Sequence, residues 1–152
     1  MCLIFPFYSL SEESELIEST NIVSPEVVST EIKQQLAIIY KNHQKLKQVE
    51  FEFRDKDIPE KLATQLKENK KNHAKILHSI IKKIGWPTKN LVGIQESNTA
   101  FLIVDHADFN TQRELLPILH QQYRLGNLTG QQVAAINDRV LIKEGKPQRY
   151  GT

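Results

Sequence analysis

The sequence predicts an all-α fold: a compact bundle of about five helices with an extended C-terminal tail packed on it. Apolar residues recur along most of the chain at spacings of three and four, the period of a helix with one buried face. Helix starts and stops punctuate that pattern, from Ser24-Pro25-Glu26 to the glycines at 85, 126 and 145. The size also fits, since 152 residues with 39% apolar and 25% charged composition can bury a core without disulfide or metal staples.

Residues 1–23 read as a leader, apolar through Phe5-Pro6-Phe7-Tyr8 and then acidic. The apolar stretch is too short to cross a bilayer and lacks a signal peptide's basic start and cleavage site. It is expected to dock on the body of the protein or on a partner. Residues 24–152 read as a single helical domain: a helical hairpin over 24–84 and a signature-bearing region over 85–152.

Ser24-Pro25-Glu26 supplies a capping serine, proline at the first helical position and an acid at the positive helix end. Val28, Ile32, Leu36, Ile39, His43, Leu46 and Val49 then line one face. Glu50-Phe51-Glu52-Phe53 alternates, so the helix frays there or a short strand forms. Asp57-Ile58-Pro59-Glu60 opens a second helix whose inner stripe is Leu62, Leu66, Asn69, His73, Leu77, Ile80 and Ile84, closed by Gly85. Antiparallel packing of these two helices follows from their short connection.

After Gly85-Trp86-Pro87, a loop or single turn through Leu91-Val92-Gly93 leads to a third helix over about Ser97 to His106. Its Ala100-Phe101-Leu102-Ile103-Val104 is apolar all round, which places it at the centre; a buried strand is the competing reading. Thr111-Gln112-Arg113-Glu114 reads as a capping box for the next helix, which Pro117 should kink and Gly126 ends. Thr129 caps the last helix, about Gly130 to Glu144, and Lys146–Thr152 forms the tail.

The net charge of +2 is unevenly spread: residues 1–31 hold six Glu and no Lys or Arg, leaving +8 on the rest. A basic body suits an anionic ligand, or the leader folds across it. Lys67, Lys70, Lys71, Lys75, Lys82 and Lys83 fall on several sides of one helix without interleaved aromatics, which argues for a solvated surface rather than nucleic-acid binding. One cysteine excludes an internal disulfide framework and favours the cytoplasm; secretion as an effector, or a lipid anchor on Cys2, is the alternative.

Three polar groups stand where periodicity demands burial: His73, His106 and Asp138. A buried carboxylate needs donors, and for Asp138 these must come from another element, with His106, Arg149 and Tyr150 as the candidates. One reading makes a pocket of them, in which His106 moves a proton, Asp138 orients it and Arg139 or Arg149 holds an anion. The other has Asp138 and His106 pair only to dock the tail. A metal site is not expected, because neither Glu-x-x-His nor paired histidines four apart occur. Nucleophile-elbow and glycine-rich phosphate motifs are absent, and the sequence leaves any cofactor unidentified.

Gly85-Trp86-Pro87, Val92-Gly93, Asp105-His106-Ala107-Asp108, Gln112, Leu115-Leu116-Pro117, Asp138-Arg139 and Gly145-x-x-Gln148-x-Tyr150-Gly151-Thr152 form an ordered set over about residues 73–152. The set resembles a bacterial family known as domain of unknown function 6624, and residues 1–60 lie outside the resemblance. The likeness implies no known activity, but it singles out His106, Gln112, Asp138, Arg139, Gln148 and Tyr150. Where the family pattern has Asp and Asn before Gly-Trp-Pro, this chain has Lys70 and His73, and Asp105 replaces a glutamine. If that Asp and Asn serve an active site, activity here is altered or lost.

The expected function is binding, or acting on, a small anionic or nucleotide-like ligand. His106, Asp138 and Tyr150 would be the reactive groups, and His73, Gln112, Arg139, Gln148 and Arg149 the ligand contacts. The alternative is a non-enzymatic interaction module, of effector, toxin or immunity type, that meets a protein partner through the leader while the signature is architectural.

Overall fold

The computed structural model describes residues 24–152 except residue 55, so the docking expected for the leader lies outside the described residues. The described residues form six helices and no strand: α1 (Pro25–Glu52), α2 (Glu60–Ile84), α3 (Lys89–Val92), α4 (Ile94–Asp105), α5 (Phe109–Arg124) and α6 (Gly130–Lys143). Among them, no helix is long and apolar enough to cross a membrane.

α1 begins as expected, with the Ser24 hydroxyl accepting the Val27 amide and Pro25 in the first turn. It buries Ile32, Leu36 and Ile39, and the helix runs on to Glu52. The short strand is therefore not formed; Phe51 projects into solvent and the alternation has no neighbouring strand to pair with. α2 starts at Glu60 without a side-chain cap and buries Leu66, Ala74, Leu77 and Ile80. Its stripe passes through half-buried Lys70 rather than Asn69, which is exposed. Both positions satisfy helical spacing after Leu66, and 3.6 residues per turn puts residue 70 more nearly beneath it.

α4 is the central element, as its all-round apolar sequence predicts, although it begins earlier, at Ile94. It packs against α1, α2, α3 and α5, whereas α1 and α2 touch each other more sparingly than each touches α4. The two long helices thus make less of a hairpin than of two walls around α4. Its core face carries Ala100, Ile103 and Val104, completed by Leu36, Leu77, Leu115, Leu119 and Ile136 from the surrounding helices. Trp86 and Pro87 are buried beside them.

The turn expected at Leu91–Gly93 is the one-turn helix α3, tied to α1 by the Ser29 hydroxyl donating to the Leu91 carbonyl at 2.6 Å. Gly93 ends α3 and caps α4 at φ 102° and ψ 163°, a backbone shape that side-chain-bearing residues rarely adopt. A Cβ there would also lie 2.7 Å from Glu96 Oε2.

α5 corrects the sequence reading at its start. Asp108, not Thr111, is the cap, accepting the Thr111 amide at 2.9 Å, and the helix opens at Phe109. That amide bond is the main reason the Asp108 carboxyl titrates below its ordinary range. Pro117 lies inside α5 on the exposed side, where water can serve the carbonyl it leaves free. α6 has the expected Thr129 start, with Gln132 completing a reciprocal capping box.

Two substitutions test this core by chemical denaturation. Leu36→Ala removes a fully buried side chain and is expected to cost about 2–5 kcal/mol. Gly93→Ala forces an L-residue into a glycine conformation and is expected to cost about 1–3 kcal/mol. Values within a few tenths of wild type would contradict the packing described.

Candidate functional site

A cleft opens between α1, α2 and α4, enclosing about 330 Å³ with its mouth; the part shielded from solvent is about the size of one water molecule. Helical spacing builds each wall. α1 contributes Ile39, His43 and Leu46, α2 contributes Lys70 and His73, and the α4 side contributes Thr99, Leu102, Ile103 and His106. The floor is apolar, and the polar groups are three imidazoles, one ammonium and a hydroxyl.

The His43 and His106 rings lie 4.6 Å apart between centroids and are tilted by 49°. His43 Nε2 is buried without a hydrogen-bond partner. Burial pushes all three imidazoles below their ordinary titration range. For His43 the neighbouring His106 and Lys47 add to this and Glu50 opposes it. For His106 the Asp105 carboxylate opposes it, its Oδ2 lying 3.9 Å from Nε2. The three are therefore neutral at pH 7. Lys70 Nζ meets Glu50 Oε1 at 3.2 Å at the rim. Among the described residues, no group of three or more His, Cys, Asp or Glu side chains is placed to hold a metal ion.

The other signature residues do different work. Asp138 is 1% exposed, and its carboxylate accepts the backbone amides of Arg149 at 2.8 Å, Tyr150 at 3.0 Å and Thr152 at 2.9 Å, plus the Thr152 hydroxyl at 3.0 Å. Burial alone would raise its pKa, but these donors outweigh it and hold the group at about 2. Of its expected partners, Arg149 and Tyr150 are present, though through their backbones. Asp138 makes no hydrogen bond to His106 and does not line the cleft that His106 lines. Gln148 Nε2 donates to the Thr152 carbonyl at 2.6 Å, bracing the same tail. The Tyr150 ring is 52% exposed, with the Arg149 guanidinium 5.9 Å from its centre.

Gln112 and Arg139 converge on the end of α4. Gln112 Nε2 donates to the Val104 and Asp105 carbonyls, both at 3.1 Å, and Arg139 Nη1 donates to the Asp105 carbonyl at 2.9 Å and carboxylate at 2.7 Å. They hold the helix terminus on which His106 sits. Of the eight residues expected to form a site, only His73 and His106 meet in the cleft. Sequence reasoning took His43 for core and singled out Lys70 only as a departure from the family pattern; helical spacing at residues 43 and 46 on α1 and 70 and 73 on α2 brings both to the cleft.

Residues 30–152 match a protein family described as a family of unknown function (DUF6624). The match takes in nearly all of α1, so the first helix, with His43 and Glu50, belongs to the shared region rather than lying outside it. No curated protein and no solved structure matches the chain.

The tail clasp makes a prediction with a defined pH sense. Asp138 has a folded pKa of about 2 against an ordinary 3.8, so its stabilisation is complete above 3.8 and is lost as pH falls through about 2. NMR of the Arg149–Thr152 amides should show a docked tail at pH 5 that releases only toward pH 2. Asp138→Asn turns an NH₂ toward groups that are already donors and should release the tail at neutral pH, with a lower melting temperature. Unchanged tail amides in that variant would refute the clasp.

Proposed function

The chain belongs to DUF6624, a family of unknown function, and we propose that the cleft between α1, α2 and α4 is its ligand site, taking a small oxyanion or the anionic group of a larger molecule. The observation that carries this reading is the meeting of His43, His73, His106 and Lys70, from three helices, around one small cleft. Neutral imidazoles can donate one hydrogen bond each to an oxyanion, and Lys70 supplies a full positive charge. The cleft is small, about 330 Å³ with its mouth, so a nucleotide would present a phosphate at the mouth and leave its base outside.

His106 is the proton-handling group in this proposal. It terminates α4, where the helix dipole and Asp105 both favour the imidazolium once a proton arrives. Asp138, Tyr150, Gln148 and Arg149 become positioning elements of the tail, and Gln112 and Arg139 positioning elements of the α4 end. The single cysteine suits a reducing cytoplasm.

A second reading, a protein-interaction module with an architectural signature, draws support from the same bonds. Gln112 and Gln148 donate to backbone carbonyls, and Asp138 accepts backbone amides and the Thr152 hydroxyl, all within the protein itself.

Anion binding favours imidazolium, so it should be coupled to proton uptake. Sulfate is a suitable probe because its charge is constant across this range. Its affinity should rise as pH falls below about 6.5, by up to ~10-fold per pH unit for one proton taken up. Without ligand the sign is opposite for stability: the folded imidazoles resist protons that the unfolded chain accepts. The melting temperature should therefore drop between pH 7.5 and 5.5, and sulfate should restore part of the loss. His106→Ala should keep most stability at pH 7.5 and lose the sulfate effect. A pH-independent, sulfate-insensitive wild type would sink the anion reading and favour the interaction module.

A further inference from the structure

We propose that Glu50 is a built-in competitor for the cleft: its carboxylate occupies the Lys70 ammonium, and an entering oxyanion has to displace it. This rests on the anion reading above and adds the residue that sets how tightly an anion is held.

Glu50 lies on α1 one turn beyond Leu46 and two turns beyond His43, both of which line the cleft. Its Oε1 lies 3.2 Å from Lys70 Nζ, while Lys70 itself lines the cleft. The internal carboxylate thus already holds the main fixed cation that a ligand would use. The contact is suited to being exchanged. Both side chains remain more than a third exposed, at 36% and 39%, so water screens the pair and can take over either partner.

The helix does nothing to retain Glu50. The last turn of α1 carries Glu50 and Glu52 and no basic residue, so two carboxylates sit at the negative end of the helix dipole. Lys70 is the counter-charge that the structure gives Glu50.

The other charges facing the histidines complete the account. α1 contributes Lys47 and Glu50, α2 contributes Lys70 and His73, and the end of α4 contributes Asp105, which is tied to Arg139 of α6. With Asp105 engaged by Arg139, Glu50 is the carboxylate left to oppose an incoming anion. A ligand must out-compete a monovalent carboxylate tethered beside its target. The competition lowers the apparent affinity for every anion, and the like-charge repulsion that remains falls more heavily on a dianion than on a monoanion.

The test compares wild type with Glu50→Gln, which keeps size and removes charge, at pH 6. The ring signals of His43 and His106 are followed by NMR through separate titrations with sulfate and formate. Glu50→Gln should bind sulfate about fivefold more tightly, from the removal of one nearby like charge at partly screened range. Formate should gain by a smaller factor, because one like charge repels a monoanion less than a dianion, so the preference for sulfate over formate widens. With no anion added, the midpoints of both histidines should move down in the variant, since Glu50 favours their protonated forms. Equal sulfate affinities, or a weaker variant, with sulfate still bound at the histidines, would overturn the role of Glu50 and leave the anion site standing. Histidine signals that ignore sulfate in both proteins would instead remove the anion site, and this inference with it.

Discussion

A helix that ends inside a protein leaves carbonyl groups that must be bonded, and the end of α4 imposes that constraint on the rest of this fold. α4 is enclosed by α1, α2, α3 and α5, and so runs through the core rather than over it. Its last carbonyls are met by two local amides and by two side chains from later in the chain. The amide of His106 bonds Leu102 and that of Ala107 bonds Val104. Gln112 takes Val104 and Asp105 together, and Arg139 takes Asp105 again. The buried Val104 carbonyl would be costly to leave unbonded, and together these bonds tie α5 and α6 to the end of the central helix. They also fix His106, the cap residue of that helix, at the edge of the cleft.

Arg139 is followed back to the tail by one step. Its neighbour Asp138 points into the protein and gathers the tail amides, while Arg139 reaches across to α4. Adjacent residues on a helix point about 100° apart, so one dipeptide serves two partners. α6 thereby fastens both the tail and the α4 end. Apart from His106, the polar signature residues form this bonding scheme, which holds the helix end that carries His106 into the cleft.

Much of this was legible in the sequence, and the boundary is physical. The stripe Ile32, Leu36 and Ile39, the buried centre at Ala100–Val104, and the burial of Asp138 all follow from periodicity, a property of single helices. The need of Asp138 for donors from another element followed from desolvation alone. Its actual donors are backbone amides, which carry no sequence mark, so Arg149 and Tyr150 were found and Thr152 was not. The cleft was less visible, because it depends on which helices meet. His43 on α1 and His106 after α4 are 63 positions apart, and nothing local announces a 4.6 Å approach of their rings. The start of α5 was misplaced for a different reason: Asp108 and Thr111 are both competent caps, and the carboxylate, the stronger acceptor, took the role.

The positions where the chain departs from the pattern it resembles now acquire a location. Lys70 and His73 line the cleft, and Asp105 faces His106 and binds Arg139. A carboxylate at position 70, as the family pattern implies, would sit beside Glu50 and among three imidazoles, giving an acidic rim suited to cations. Lysine there reverses the local charge by two units and neutralises Glu50 instead. On the anion reading, the exchange changes the sign of the acceptable guest while leaving helix, wall and neighbouring histidines where they are. The bonding scheme at α4 and the tail carries no comparable change, since Gln112, Asp138 and Arg139 match the pattern and make the bonds that tie down the α4 end and the tail.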